Sequence, residues 1–216
     1  FRRSCSRICS DAQGSTPRNR YYWRARSYDQ YIDGQWSNSP NLADSRLIPK
    51  DALLPNQSLE THPIVRVSFT NAMARMINVY TTGQPVTVDY PVEALSQQVG
   101  TETYELLALI AEPNLAEGES YVVTARLPNP TVRDLRASAD DTAAWLQPYL
   151  QLPPNFSEEI RALAEKITAG ERTPYDKTIA ITQYLRENIT YSRVMAPVPE
   201  GSDMLAWFLL EEKQGF

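Results

Sequence analysis

From residue 21 to about residue 127, apolar positions recur at every second residue, the spacing of pleated strands with one buried face. Tyr21, Trp23, Ala25 and Ser27 alternate with Tyr22, Arg24, Arg26 and Tyr28, and large rings suit such a surface. Asp33-Gly34 lies between Tyr31-Ile32 and Gln35-Trp36; it supplies the positive φ angles of a type I′ turn and predicts a tight hairpin. A segment rich in Pro, Asn, Ser and Asp then reads as a loop from Ser37 to Pro63. Beyond it Val65, Val67 and Phe69 alternate with Arg66 and Ser68, and Met76, Asn78 and Tyr80 with Ile77 and Val79. Gly83-Gln84-Pro85 is a turn signal, after which Val86, Val88 and Tyr90 alternate with Thr87 and Asp89. Glu102 to Ala111 and Ser120 to Leu127 complete the series, with Tyr121, Val123, Ala125 and Leu127 on one face. Short strands between turn residues, with no internal repeat, predict an antiparallel sandwich or barrel-like domain over residues 21–130.

The period then changes. Pro128-Asn129-Pro130 opens a connector over residues 131–152, with short helical signals from Asp140 to Trp145 that Pro153-Pro154 stops. Residues 153–216 read as helical. Ser157 caps a first helix, Glu158 and Glu159 favour the positive end of its dipole, and Ile160, Leu163 and Ile167 form its stripe. Gly170 suits a left-handed C-terminal cap. A second helix starts at Thr173, with Pro174 in its first position, Asp176 in its third, and Ile181, Tyr184, Leu185 and Ile189 facing a core. Thr190 to Ser192 can begin a strand. Ser202 or Asp203 caps a third helix carrying Leu205, Phe208 and Leu209, and Gly215 marks a turn.

Composition narrows the function classes. With 42% hydrophobic and 22% charged residues the chain is an ordinary globular sequence. Its formal charge of −5 argues against nucleic acid as a partner, since phosphate binding needs a basic footprint. The arginines near the start (Arg2, Arg3, Arg7, Arg18, Arg20, Arg24, Arg26) read as a solvated end. No apolar run approaches the roughly 20 residues that span a bilayer. A first residue of Phe1 in place of Met leads us to expect a true N-terminus outside this chain.

Candidate chemistry is sparse. Cys5 and Cys9, without neighbouring histidines, make a poor zinc site and read as free thiols rather than a redox pair or a lipid attachment point. His62, the single histidine, has no sequence-placed nucleophile and reads as a surface residue. Asp29 and Asp33 could suggest a pair of glycosidase carboxylates, but solvated roles are favoured for both, Asp33 being explained by its turn. The rings of Tyr21, Tyr22, Trp23, Tyr28, Tyr31 and Trp36 could stack on sugars; core packing and cross-strand pairing explain them better.

Leu152-Pro153, Ile160 to Gly170, Thr173-Pro174-Tyr175-Asp176-Lys177, Ile181 with Tyr184-Leu185, Thr190-Tyr191, and Asp203 with Trp207-Phe208-Leu209 and Lys213-Gln214-Gly215-Phe216 together resemble the bacterial transglutaminase-like family in its membrane-attached form. In the β half, Tyr22-Trp23-Arg24, Tyr28-Asp29, Tyr31, Gly34-Gln35-Trp36, Tyr121-Val122-Val123 and Asp134-Leu135-Arg136 resemble the extracytoplasmic segment preceding that core. The resemblance covers roughly residues 20 to 216 and leaves residues 1–20 as an unmatched or disordered end.

It implies an α+β chain: the β accessory domain followed by an incomplete helical portion of a transglutaminase-like core. It also implies papain-like chemistry, with a Cys nucleophile, a His base and an orienting Asp. The cysteine would follow Phe216, with His and Asp further on. No catalytic, cofactor-binding or metal residue is therefore assigned to this chain, which by itself is expected to be soluble and inactive. The implied partners are the remainder of the same core and a peptide or protein substrate. Membrane attachment would come through segments outside this chain, at the extracytoplasmic face of a bacterial membrane. The alternative is a non-catalytic binding or scaffold module for a wall polymer or a protein. Ile181, Leu185, Phe208 and Leu209 are the residues expected to be left partly uncovered.

Overall fold

The computed structural model describes residues 22–32, 34–39, 44–55, 62–99, 104–138 and 144–215, apart from the side chain of Trp145. The expectations for residues 1–20, Cys5, Cys9, Tyr21 and Asp33 lie outside the described residues. Chain contacts divide the molecule into two units, Phe1–Tyr28 with Asn38–Asn129, and Asp29–Ser37 with Pro130–Phe216.

The first unit is built of antiparallel strands. In chain order these are β1 (Trp23–Arg24), then, after two strands of the second unit, β2 (Gln30–Ile32) and β3 (Gln35–Ser37), the strands β4 (Asp44–Ile48), β5 (Ile64–Thr70), β6 (Arg75–Asn78), β7 (Thr81–Thr82), β8 (Gln84–Val88), β9 (Val92–Gln98), β10 (Tyr104–Ala116) and β11 (Ser120–Arg126). One sheet has the order β4-β9-β10-β6, a second β5-β11-β8, and β1 pairs with β7. Val92, Ala94, Leu109 and Ala111 of the first sheet share one buried cluster with Val67, Phe69, Val88, Tyr121, Val123 and Ala125 of the second. Two layers over one core make a sandwich, and neither sheet closes into a barrel.

Two internal polar groups fix this core. Asn71 is buried, and its side-chain amide donates to the carbonyls of Met73 (2.9 Å), Leu115 (3.0 Å) and Ala116 (2.9 Å) while accepting from Met73 N–H at 2.9 Å. The Tyr121 hydroxyl accepts from Tyr80 N–H at 2.8 Å and donates to Tyr80 O at 3.2 Å, and its ring stacks on Phe69 with centroids 5.3 Å apart.

Several local expectations are corrected. The segment from Ser37 to Pro63 holds a strand, β4, whose polar Asp44-Ser45-Arg46 start belongs to a sheet edge and carries no core alternation. Strand β9 is also additional; its inward residues Val92, Ala94 and Ser96 are too small and mixed to announce a buried face. Strand β10 runs past Ala111 to Ala116, with five steps from Ile110 to Leu115 opposite two on β6. Met76 and Val79, expected on opposite faces, are both buried: β6 ends at Asn78 and Val79 N–H turns to Leu109 O at 2.9 Å. Strand β1 is only two residues long, followed by a single bridge from Arg26 to Ala108. Within the turn signal, Gly83 alone turns (φ 52°), and Pro85 falls on edge strand β8, where its missing N–H is harmless.

In the second unit, β2 and β3 form the expected hairpin, with Ile32 opposite Gln35 and Gly34 at φ 77°. Its helices are α1 (Val132–Ala137), α2 (Glu158–Thr168), α3 (Pro174–Asn188) and the single turn α4 (Met204–Ala206), with a 3-10 helix over Ala144–Leu150. The caps are the expected ones. Ser157 accepts from Ile160 N–H, Thr173 from Asp176 N–H with Pro174 leading α3, and Asp203 from Ala206 N–H. Helix α1 was not foreseen, although Thr131 and Asp134 form a reciprocal capping box at its start. Gly170 is not left-handed; Ala169 ends α2 in right-handed conformation and Glu171 N–H closes a turn on Thr168 O. The expected strand at Thr190 is β12 (Thr190–Tyr191), which runs parallel to β13 (Gln214–Gly215). Gly215 is thus in a strand, not in the turn expected there.

Candidate functional site

The last described segment is held from several directions. After α4 the helix widens into a π-helical stretch, Trp207–Glu212, closed by Lys213 N–H on Phe208 O at 3.0 Å. Such i→i+5 stretches are rare and concentrate near functional sites. Lys213 ends it in left-handed conformation (φ 52°, ψ 23°). The chain then pairs with β12: Thr190 N–H donates to Lys213 O and Ser192 N–H to Gly215 O, both at 2.8 Å. Gly215 is buried, and a methyl built on it would lie 2.8 Å from the Met195 sulfur and 2.8 Å from Cε2 of Phe208. Glu212 Oε1 accepts from the Gln214 amide at 2.6 Å, bracing the same strand. Whatever follows Gly215 therefore leaves from a backbone fixed by a helix end, a parallel strand and two side chains.

The β2–β3 hairpin supplies a second feature. Tyr31 and Trp36 are cross-strand neighbours with ring centroids 5.0 Å apart, and Trp36 is 64% exposed. Burial, and secondarily the Asp203 carboxylate, raise the Tyr31 hydroxyl above the usual tyrosine pKa. A side chain on Gly34 would come 3.1 Å from Cε of Met204, so the hairpin tip rests on the start of α4.

A third feature is an apolar groove between α2 and α3 lined by Leu152, Phe156, Ile160, Ala164 and Ile181, with Lys177 at its rim. Ile181 and Leu185 are each 37% exposed, and Phe208 and Leu209 are half-buried, so the four residues expected to be partly uncovered are so. Arg136 of α1 clamps α3 through a 2.9 Å pair with Asp176 and lies over the Tyr175 ring. The Thr173 hydroxyl, then Arg136, hold the Asp176 carboxyl below the usual aspartate range.

The remaining single-residue expectations divide. His62 is half-buried in the first unit rather than at the surface as expected, and its carbonyl accepts from Arg126 at 3.3 Å. Asp29 is buried, not solvated: the chain turns inward there, with Asp29 N–H on Ser37 O and its carbonyl accepting from Gln151 at 3.0 Å. Trp23 packs edge-on against Phe69 at 5.3 Å, while Tyr22 and Tyr28 are exposed. No group of three or more His, Cys, Asp or Glu is arranged to hold a metal among the described residues. Met195 and Phe208, which enclose Gly215, were not foreseen as a unit, and only the glycine itself signalled the close approach.

Comparison with known proteins places the C-terminal segment. The Transglutaminase-like superfamily matches residues 161–216. The Bacillus subtilis (strain 168) "Uncharacterized protein YebA" is 26% identical over 133 residues, 58% of this chain and 18% of that protein. The periplasmic domain of TgpA from Pseudomonas aeruginosa, in a crystal structure bound to ethylmercury, superposes with a TM-score of 0.51 at 18% identity, over 94% of this chain and 64% of that one. The chain thus spans less than a fifth of the Bacillus protein and under two thirds of the Pseudomonas domain, and the latter likeness is one of fold. No helix among the described residues is long and apolar enough to cross a membrane.

Proposed function

We propose that this chain, which matches the Transglutaminase-like superfamily over residues 161–216, is the accessory β domain and the leading part of a transglutaminase-like bacterial core that carries out thiol-dependent acyl transfer or amide hydrolysis on peptide or protein substrates. The observation that carries this reading is the locked Gly215, from which the next residues would leave at a defined point beside β12. A cysteine delivered there and starting a helix would have its thiolate favoured by the helix dipole.

In the complete protein that thiolate attacks an amide carbonyl carbon, forming a C–S bond while the carbonyl electrons move to oxygen. Collapse of this adduct expels the amine, protonated by a histidine, and leaves a thioester. Water or a second amine then attacks the thioester and regenerates the thiolate. This chain contributes positioning, not the reacting atoms, and alone it is inactive in this reading. An extracytoplasmic location, with membrane attachment through segments outside residues 1–216, is part of the same proposal, supported by the periplasmic origin of the Pseudomonas neighbour.

The test is alkylation of the full-length protein with iodoacetamide during turnover of an amide-bearing peptide. Loss of ammonia or amine release in step with modification of a cysteine beyond Phe216 supports the reading. Full activity after stoichiometric modification of that cysteine overturns it. One observation favours the other reading, a binding module: the exposed Trp36 beside Tyr31 offers a ring surface to a wall polymer or a protein. Full-length protein that binds such a polymer, loses that binding as Trp36→Ala, and has no downstream cysteine would establish it instead.

A further inference from the structure

Met195 lies in the segment between β12 and α4, 37% exposed, with its sulfur on the buried backbone of Gly215. The two hydrogen bonds that seat β13, Thr190 N–H to Lys213 O and Ser192 N–H to Gly215 O at 2.8 Å, flank this contact. Phe208 crowds the same point on the glycine, so the sulfur and the ring close together on Gly215, while Met195 as a residue keeps part of its surface open to solvent. Solvent access on one face and a tight apolar seat on the other are the conditions under which adding an oxygen to sulfur is both feasible and disruptive.

We propose that Met195 is an oxidation switch: hydrogen peroxide, or another two-electron oxygen donor, converts its thioether to the sulfoxide and thereby loosens β13 from β12. The sulfur lone pair attacks one peroxide oxygen, the O–O bond breaks as an S–O bond forms, and the second oxygen leaves as water after proton transfer. Sulfur loses two electrons and peroxide gains them. A methionine sulfoxide reductase with a dithiol reverses the step: the sulfoxide oxygen leaves as water, sulfur regains two electrons, and the dithiol becomes a disulfide. The sulfoxide oxygen is about as large as a methyl, strongly polar, and needs a hydrogen-bond donor. The space over Gly215 is already filled by the thioether and the Phe208 ring, leaving no room even for a methyl on the glycine. The oxidised side chain therefore swings into solvent, the cover over Gly215 is lost, and the short parallel pair opens. The switch rests on the geometry around Gly215 and not on the proposed thiol chemistry.

The remaining methionines serve as internal references: Met76 is 6% exposed, whereas Met73 and Met204 are 45% exposed. Full-length protein is treated with hydrogen peroxide, the added oxygen is located by peptide mass spectrometry, and amide hydrogen exchange is followed at Thr190 and Ser192. Expected is a rise in exchange at both amides of about tenfold, the loss of one well-made local hydrogen-bonded contact. The rise tracks the fraction of Met195 sulfoxide and reverses with a methionine sulfoxide reductase and dithiol. Met204→Leu responds like the parent, and Met195→Leu, a volume-conserving change, does not respond. The proposal is overturned if Met195 stays reduced while Met204 is fully oxidised, if its sulfoxide forms without a change in exchange, or if Met195→Leu shows the same rise. Should Met195→Leu fail to fold, the correlation between sulfoxide fraction and exchange in the parent decides alone. Because exchange needs no downstream cysteine, this test can fail or succeed whatever becomes of the acyl-transfer proposal.

Discussion

Gly215 and Phe208 approach so closely that a methyl on the glycine would stand 2.8 Å from Cε2 of the ring. The contact ties the π-helical stretch to the strand that follows it, and it makes the glycine a requirement of packing. Gly215→Ala is expected to lower stability by about 1–3 kcal/mol through overpacking. Thermal unfolding followed by circular dichroism checks this, and an unchanged midpoint would mean that the helix end yields freely. Pairing the change with Met195→Ala should return part of the loss, since one of the two obstructing groups is then gone.

Tyr121 holds both the N–H and the carbonyl of Tyr80 with one hydroxyl. Tyr121→Phe keeps the stack on Phe69 but leaves those groups without their partner, at an expected cost of about 1–3 kcal/mol in denaturant unfolding. Burial raises this hydroxyl well above its ordinary value of 10.0. The sign follows from that direction. Below pH 10.0 both states keep the proton and nothing is lost, whereas above it the unfolded chain ionises first, so stability falls as pH rises. In Tyr121→Phe that part of the alkaline loss should be absent.

Asn71 offers its amide to three backbone carbonyls, those of Leu115 and Ala116 at the end of β10 and that of Met73 just before β6. Asn71→Asp replaces the donor with a carboxylate facing those oxygens. We expect a loss of several kcal/mol, about the upper end of single-site effects, partly relieved in acid as the carboxyl protonates. Urea midpoints at neutral pH and near pH 4 test both parts, and a pH-independent loss would contradict the electrostatic cause.

Asp176 is held ionised first by the Thr173 hydroxyl and then by Arg136. Its folded-state pKa lies below the ordinary 3.8, so its contribution is complete above that value and disappears as pH falls through the folded pKa. Asp176→Asn should therefore be less stable than the parent at neutral pH, with the deficit shrinking in acid as the carboxyl protonates. Melting temperatures at neutral and acid pH decide, and a gap that persists undiminished in acid would assign the effect to the helix cap alone.

Local chemistry is legible in the chain itself. Thr173-Pro174-x-Asp176 and Ser157 mark helix starts because the cap bonds are made within one turn of chain. Asp33-Gly34 marks the hairpin, and Val67, Phe69, Tyr121, Val123 and Ala125 mark buried strand faces, for the same reason of short reach. The capping box at Thr131 is equally local but lies within a stretch that reads as a connector. Strands β4 and β9 are not legible, because their residues become strand only by finding neighbours: β4 lies on the edge of β9, and β9 between β4 and β10.

The candidate site divides along the same line. The order of helices, the capping residues and the Gly215-Phe216 ending are in the sequence, and they are enough to suggest the family. Only the tertiary structure decided that residues 29–37 group with the helical unit, that Asp29 is buried, and that Met195 and Phe208 close on Gly215. A cap or a turn is determined by residues a few positions apart, and the alphabet of side chains encodes it directly. A close approach between residues seven and twenty apart depends on where helix and strand cross, and one glycine records that crossing without naming its partners.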